Sequence, residues 1–141
     1  MWGDRALTSA MPTLSDDRCM PTVLQQLPGF QDQWDDHLAA HVGEPSDRAA
    51  DLAELAAYAH VLMARGQAAE LQRVLVVAEQ LLRDGSPAVQ DAVCSGFLES
   101  LVDPLLPGEP GLPELLAGLG PASRAYLRHW QAFSGAVLPG L

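Results

Sequence analysis

Apolar residues recur at intervals of three and four through most of the chain and nowhere in strict alternation. The pattern therefore predicts helices and no strands. It is strongest from Ala68 to Asp103. There Leu71, Val74, Leu75, Ala78, Leu81 and Leu82 form one broad stripe, with Gln72, Arg73, Glu79, Gln80 and Arg83 opposite. Glu79 and Arg83 stand in the favourable i,i+4 order for a surface ion pair. Asp84-Gly85 should end this helix with a left-handed glycine, and Ser86-Pro87 should open the next. That second helix buries Val89, Val93, Phe97, Leu98 and Leu101 and carries Gly96 at its middle. A mid-helix glycine costs about 1 kcal/mol against alanine, so the close approach of another backbone is expected there. Val76 falls on the polar side of its helix, either covered by a third element or exposed.

Weaker periodicities flank this hairpin. Residues 1–17 are unpatterned and read as a flexible arm, and a short helix is expected after Pro21, through Val23, Leu24 and Leu27. Phe30, Trp34 and Leu38 share a face opposite Asp32, Asp35 and Asp36. Ser46 should cap a long helix to Arg65, with Leu52, Leu55, Ala56, Ala59, Leu62 and Met63 buried and Asp47, Asp51, Glu54 and Tyr58 outside. The stretch PLLPGEPGLP after Asp103 holds too much proline to continue a helix. A turn or two of helix near 114–119 and a last helix after Gly120-Pro121 follow, with Tyr126, Trp130 and Phe133 on one side and Arg124 and Arg128 facing away. Residues 135–141 read as a tail. The predicted fold is all-α: a single-domain bundle of five to seven helices over 18–134, with a HEAT-like hairpin at 68–103. No fixed period recurs, so one such pair is not a repeat array.

Composition narrows the function classes. The 141 residues suffice for one domain with a real core. The formal charge of −10 argues against binding a phosphate backbone and would steer a basic partner inward. All eight basic residues are arginine, which with abundant Ala, Leu, Gly and Pro suggests a GC-rich bacterial genome. Cys19 and Cys94 lie far apart, without a pattern that supports a disulfide, and Cys94 falls beside an apolar helix face. The first residues lack a basic n-region followed by an apolar run, and no apolar run is long enough to span a membrane. A soluble cytoplasmic protein is expected.

Chemistry-bearing patterns are few. His37 and His41 have the i,i+4 spacing of a helical metal pair, but Leu38 replaces the glutamate of the zincin pattern and no third ligand is placed nearby. A partly buried structural role is expected for both, and for the isolated His60 and His129. No GxGxxG, GxxxxGK[ST] or GxSxG occurs, and Ser95-Gly96 lies inside a helix rather than on a strand-to-helix elbow. Asp35-Asp36 could do acid–base work only if desolvated, and their helix face reads as solvated. No cofactor, no metal and no enzymatic activity are expected. The candidate partner-binding residues are the acidic stripe Asp47, Asp51 and Glu54, ended by the aromatic Tyr58, with Asp35 and Asp36 on the preceding helix. The plainer alternative is a solvated face on an acidic protein.

The run AEQLLRDGSPAVQDAVCSGFLESL resembles a segment of a family of small all-helical bacterial domains. In that family a "vxExLL" helix, here Val76 to Leu82 with Glu79, precedes a short turn and a helix ending "GFLExL". Here the latter is Gly96, Phe97, Leu98, Glu99 and Leu101. Leu119-Gly120-Pro121 before an aromatic last helix is similar too, and the likeness covers about half the chain. Several members resemble immunity proteins encoded beside polymorphic toxins. The resemblance implies a non-enzymatic protein whose partner is a cognate toxin domain. A helical scaffold or adaptor, as a monomer or a homodimer, is the alternative.

Overall fold

The computed structural model describes residues 14–141. Its helices are α1 (Asp16–Gln26), α2 (Gln31–Ala40), α3 (Arg48–Ala64), α4 (Ala68–Asp84), α5 (87–102), α6 (Leu112–Gly118) and α7 (Pro121–Ser134). A 3-10 turn, Pro28–Phe30, joins α1 to α2. Helices and no strands are present among the described residues, so the chain is an all-α, single-domain bundle. None of these helices is long and apolar enough to cross a membrane.

The α4–α5 hairpin has the predicted layout. Leu71, Val74, Leu75, Ala78, Leu81 and Leu82 are buried, and Ser86 caps α5 by accepting from the Val89 amide, with Pro87 following it. One local expectation changes. Gly85 is extended (φ −76°, ψ 154°) rather than left-handed. It sits in a short parallel bridge with Leu14, through Leu14 N–H to Asp84 O (3.0 Å) and Ser86 N–H to Leu14 O (2.8 Å). Val76 is exposed.

Gly96 marks the close approach anticipated for it. A methyl group there would lie 2.8 Å from Ala49 Cα, so α3 and α5 meet backbone to backbone. Around this contact α5 widens into a π-helical turn, Val93–Leu98, in which Glu99 N–H reaches back to Cys94 O. One extra residue in the turn lets Val93, Phe97 and Leu98 all point into the core while the backbone stays pressed on α3.

The ends of the chain are more involved than the pattern suggested. Leu14 is buried and α1 begins at Asp16, so the last residues of the expected 1–17 arm belong to the bundle; the rest of the arm, 1–13, lies outside the described residues. The helix runs through Pro21 instead of starting after it, with Asp16 and Asp17 in its first turn, where the helix dipole favours acids. On α7 the inward residues are Ser123 and Leu127, with Trp130 half-buried; Phe133 points out and is 85% exposed. Segment 135–141 folds back along α7. Leu138 is buried, Leu138 N–H donates to Gln131 Oε1 (2.7 Å), and Arg124 and Arg128 donate to the carbonyls of Gly140 and Leu141.

Candidate functional site

The acidic stripe predicted on α3 does not face solvent as a unit. Asp47 is exposed but is itself the cap of α3, accepting from Ala50 N–H (3.2 Å) in the role expected of Ser46. Asp51 is buried. Its Oδ2 accepts from Arg48 Nη1 (2.8 Å) and its Oδ1 faces His37 Nε2 at 2.9 Å. Glu54 is half-buried, accepting from the Gln33 amide, with Oε1 3.4 Å from His37 Nδ1. Tyr58 is half-buried as well. Its ring centroid lies 5.3 Å from that of Phe30, and its hydroxyl donates to Glu70 Oε2 (2.9 Å). Burial first, then the Glu70 bond, pushes its phenol up to about 12.

The reason is geometric. α3 has neighbours on two sides, α4 and α5 on the aliphatic one and α2 on the polar one. The second contact turns Asp51, Glu54 and Tyr58 inward. It also rotates α2: Phe30, Trp34 and His37 face α3, and Leu38, expected among them, is 49% exposed. His37 is therefore the buried structural histidine anticipated, stacked on Trp34 at 5.4 Å between centroids. The polar seam continues through Arg48, which also bonds Asp16 by two nitrogens at 3.1 Å; those bonds hold the Asp16 carboxyl below its ordinary value. Cys19, buried nearby, has its thiol pushed up to about 11, chiefly by burial.

The rings of His37 and His41, the latter just past the end of α2, lie 4.5 Å apart between centroids, but their nitrogens turn to other partners. Both ring nitrogens of His37 face carboxylates, and His41 turns Nδ1 to the His37 carbonyl at 2.8 Å. No group of three or more His, Cys, Asp and Glu is gathered as a metal would need, among the described residues. His60 ties α3 to α5 through the Leu101 carbonyl (2.8 Å), whereas His129 is exposed, against expectation.

Asp35 and Asp36 are exposed as predicted, on the outer face of α2 with Asp32. Asp35 accepts only an amide of Gln31 (2.9 Å), and Asp36 forms no ion pair among the described residues. Beyond them, between the end of α2 and the start of α3, lies an open cleft of about 880 Å³. Trp34, Leu38, His41, Glu44 and Asp47 line it.

The segments that carried the family resemblance turn out to be structural. Glu79 is buried rather than paired with Arg83. Its carboxylate accepts from Ala122 N–H (2.8 Å), Ser123 N–H (3.0 Å) and Ser123 Oγ–H (2.9 Å), which caps α7 from outside its own segment. Any side chain at Gly120 would strike Glu79, which explains the Gly-Pro entry to α7. Glu99 accepts from the Tyr126 hydroxyl, so both glutamates of the pattern fasten the last helix to the hairpin. Sequence spacing alone could not reveal either bond, because each partner lies far along the chain.

In comparisons with known proteins, the model of a family described as a domain of unknown function, DUF7674, matches residues 20–134. No curated protein and no solved structure matches the chain.

Proposed function

The chain belongs to the DUF7674 family of domains of unknown function, and from that premise we propose that it is a non-enzymatic immunity protein, which binds a cognate toxin domain and neutralises it. The observation that carries the reading is the division of labour among its acids. Asp51, Glu54, Glu79 and Glu99 bond within the fold. Asp32, Asp35, Asp36 and Asp47 stay exposed in a chain of charge −10. Carboxylates left in water on one end of a bundle raise the encounter rate with a basic surface. A toxin that acts on nucleic acid presents such a surface in its substrate cleft. The resemblance of residues 76–101 to immunity-type domains points the same way, and a cytoplasmic site of action follows from the role.

The test is capture from the native host with tagged protein, paired with co-expression of the toxin encoded beside its gene. Recovery of that toxin and rescue of growth are expected. Recovery of no neighbouring gene product, with no rescue, would reject the reading. The exposed Val76, 53% accessible on α4, supports a second reading, a homodimeric scaffold. Sedimentation of a dimer that Val76→Glu dissociates would favour it.

A further inference from the structure

We infer that the C-terminal end of α2 with the loop after it is the docking surface, and that the occupant is a basic, amphipathic polypeptide segment with apolar side chains flanked by arginine or lysine. The inference rests on the binding role proposed above and adds to it a place and a chemistry. Leu38, in the last turn of α2, and Val42, in the turn that follows the helix, are 49% and 81% exposed. Two aliphatic side chains left in water four residues apart at the end of a helix are a footprint that the apolar side of an amphipathic partner covers.

Carboxylates bracket this apolar pair. Asp35 and Asp36 precede it on α2; Glu44 and Asp47 follow it in the loop, and all four are exposed. None has a cationic partner among the described residues: Asp35 takes an amide of Gln31, Asp47 caps α3, and the nearby Arg48 is spent on Asp16 and Asp51. The carbonyls ending α2 add partial negative charge at the same place. The cleft beside them, walled by Trp34 and His41, has room for a long side chain. These features choose among occupants. A phosphate backbone would be repelled, and so would the same face of a second copy, which would set Asp35, Asp36, Glu44 and Asp47 against their like. A small polycation would leave Leu38 and Val42 in water. A basic segment with an apolar centre satisfies both halves of the surface.

The test uses the full chain, isotope-labelled, and synthetic helical peptides as probes. One peptide carries leucines at i and i+4 between arginines; a second has glutamine for arginine, and a third serine for leucine. Amide shifts centred on residues 35–47 are expected with the first, and binding about tenfold weaker or worse with the others. Leu38→Ser combined with Val42→Ser, both at exposed positions, should weaken the first peptide by the same factor, while Phe133→Ser on α7 leaves it unchanged. Shifts centred elsewhere, no shifts, or undiminished affinity of the double variant would overturn the inference. The toxin assay separates this from the proposed function. Full rescue by the double variant rejects the surface and keeps the immunity role. Failure of the wild-type protein to rescue rejects the role, and the peptide result then decides the surface alone.

Discussion

At Glu79 one carboxylate accepts three hydrogen bonds from the first turn of α7, two of them buried and the third part-buried. Glu79→Gln keeps the shape but turns a donor toward donors. It should cost about 1.5–3 kcal/mol in urea unfolding, the range for hydrogen bonds to a charged group, and speed amide exchange at Ala122 and Ser123. Exchange unchanged there would mean that α7 is held by its apolar contacts alone. Gly96→Ala sets two effects against each other. Alanine gains about 1 kcal/mol of helix propensity, whereas overpacking costs about 1–3 kcal/mol. The obstacle is the Ala49 backbone, which cannot swing aside as a side chain could, so the upper end applies and Tm should fall. A raised Tm would show a slack α3–α5 contact. The alkaline limb of stability has named causes. Burial lifts the Cys19 thiol from 9.0 to about 11 and the Tyr58 phenol from 10.0 to about 12, and the Tyr126 phenol is raised further by burial and by Glu99. Groups whose folded values are raised contribute stability that is complete below their unfolded values and is lost as pH climbs through the folded ones. Stability should therefore decline above about pH 9, and phenolate absorbance should appear together with unfolding. Phenolate forming in a protein that keeps its helical signal would contradict this.

Among the elements, α4 and α5 were legible because each sends one broad aliphatic stripe into the core, which is what a helical wheel displays; the burial of Glu79 on the other side of α4, against α7, was not. The Gly96 contact was legible for a related reason, since glycine within a helix has few uses besides close approach. α3 was not, because it is covered on two sides. A row of acids is the ordinary mark of a solvated face, and only the position of α2 turns Asp51, Glu54 and Tyr58 inward. The register of α2 was missed by one residue for the same reason: a hydrogen bond to Asp51, with Glu54 alongside, brings His37 inward in place of Leu38. Of the six residues expected to meet a partner, Asp35, Asp36 and Asp47 are at the surface, and Asp51, Glu54 and Tyr58 join α3 to its neighbours. Pro21 hid the start of α1, since a proline normally begins a helix rather than sitting within one. His37→Ala should loosen the α2–α3 seam, costing about 1–3 kcal/mol and raising amide exchange over 31–40. Exchange confined to the substituted residue would show that the seam is not a unit.

For the whole molecule, buried carboxylates and exposed ones have different consequences when reversed. Asp51→Arg places a cation beside Arg48 in a buried seam and should be read as loss of folding, not as loss of binding. Asp35→Arg with Asp36→Arg alters the field outside α2 and removes only the exposed Gln31–Asp35 bond, so the fold should keep its Tm. That field is the part of the account that bears on function, because a net charge of −10 speeds encounter with a basic partner only where its carboxylates are unpaired and in water. The most direct measurement is the association rate between this protein and the proposed toxin partner, followed across ionic strength. The rate should fall steeply with added salt, and a double variant, Asp35→Arg with Asp36→Arg, should associate at least about tenfold more slowly at low salt with a flattened salt dependence. Equal rates for the two proteins at every salt concentration would contradict it.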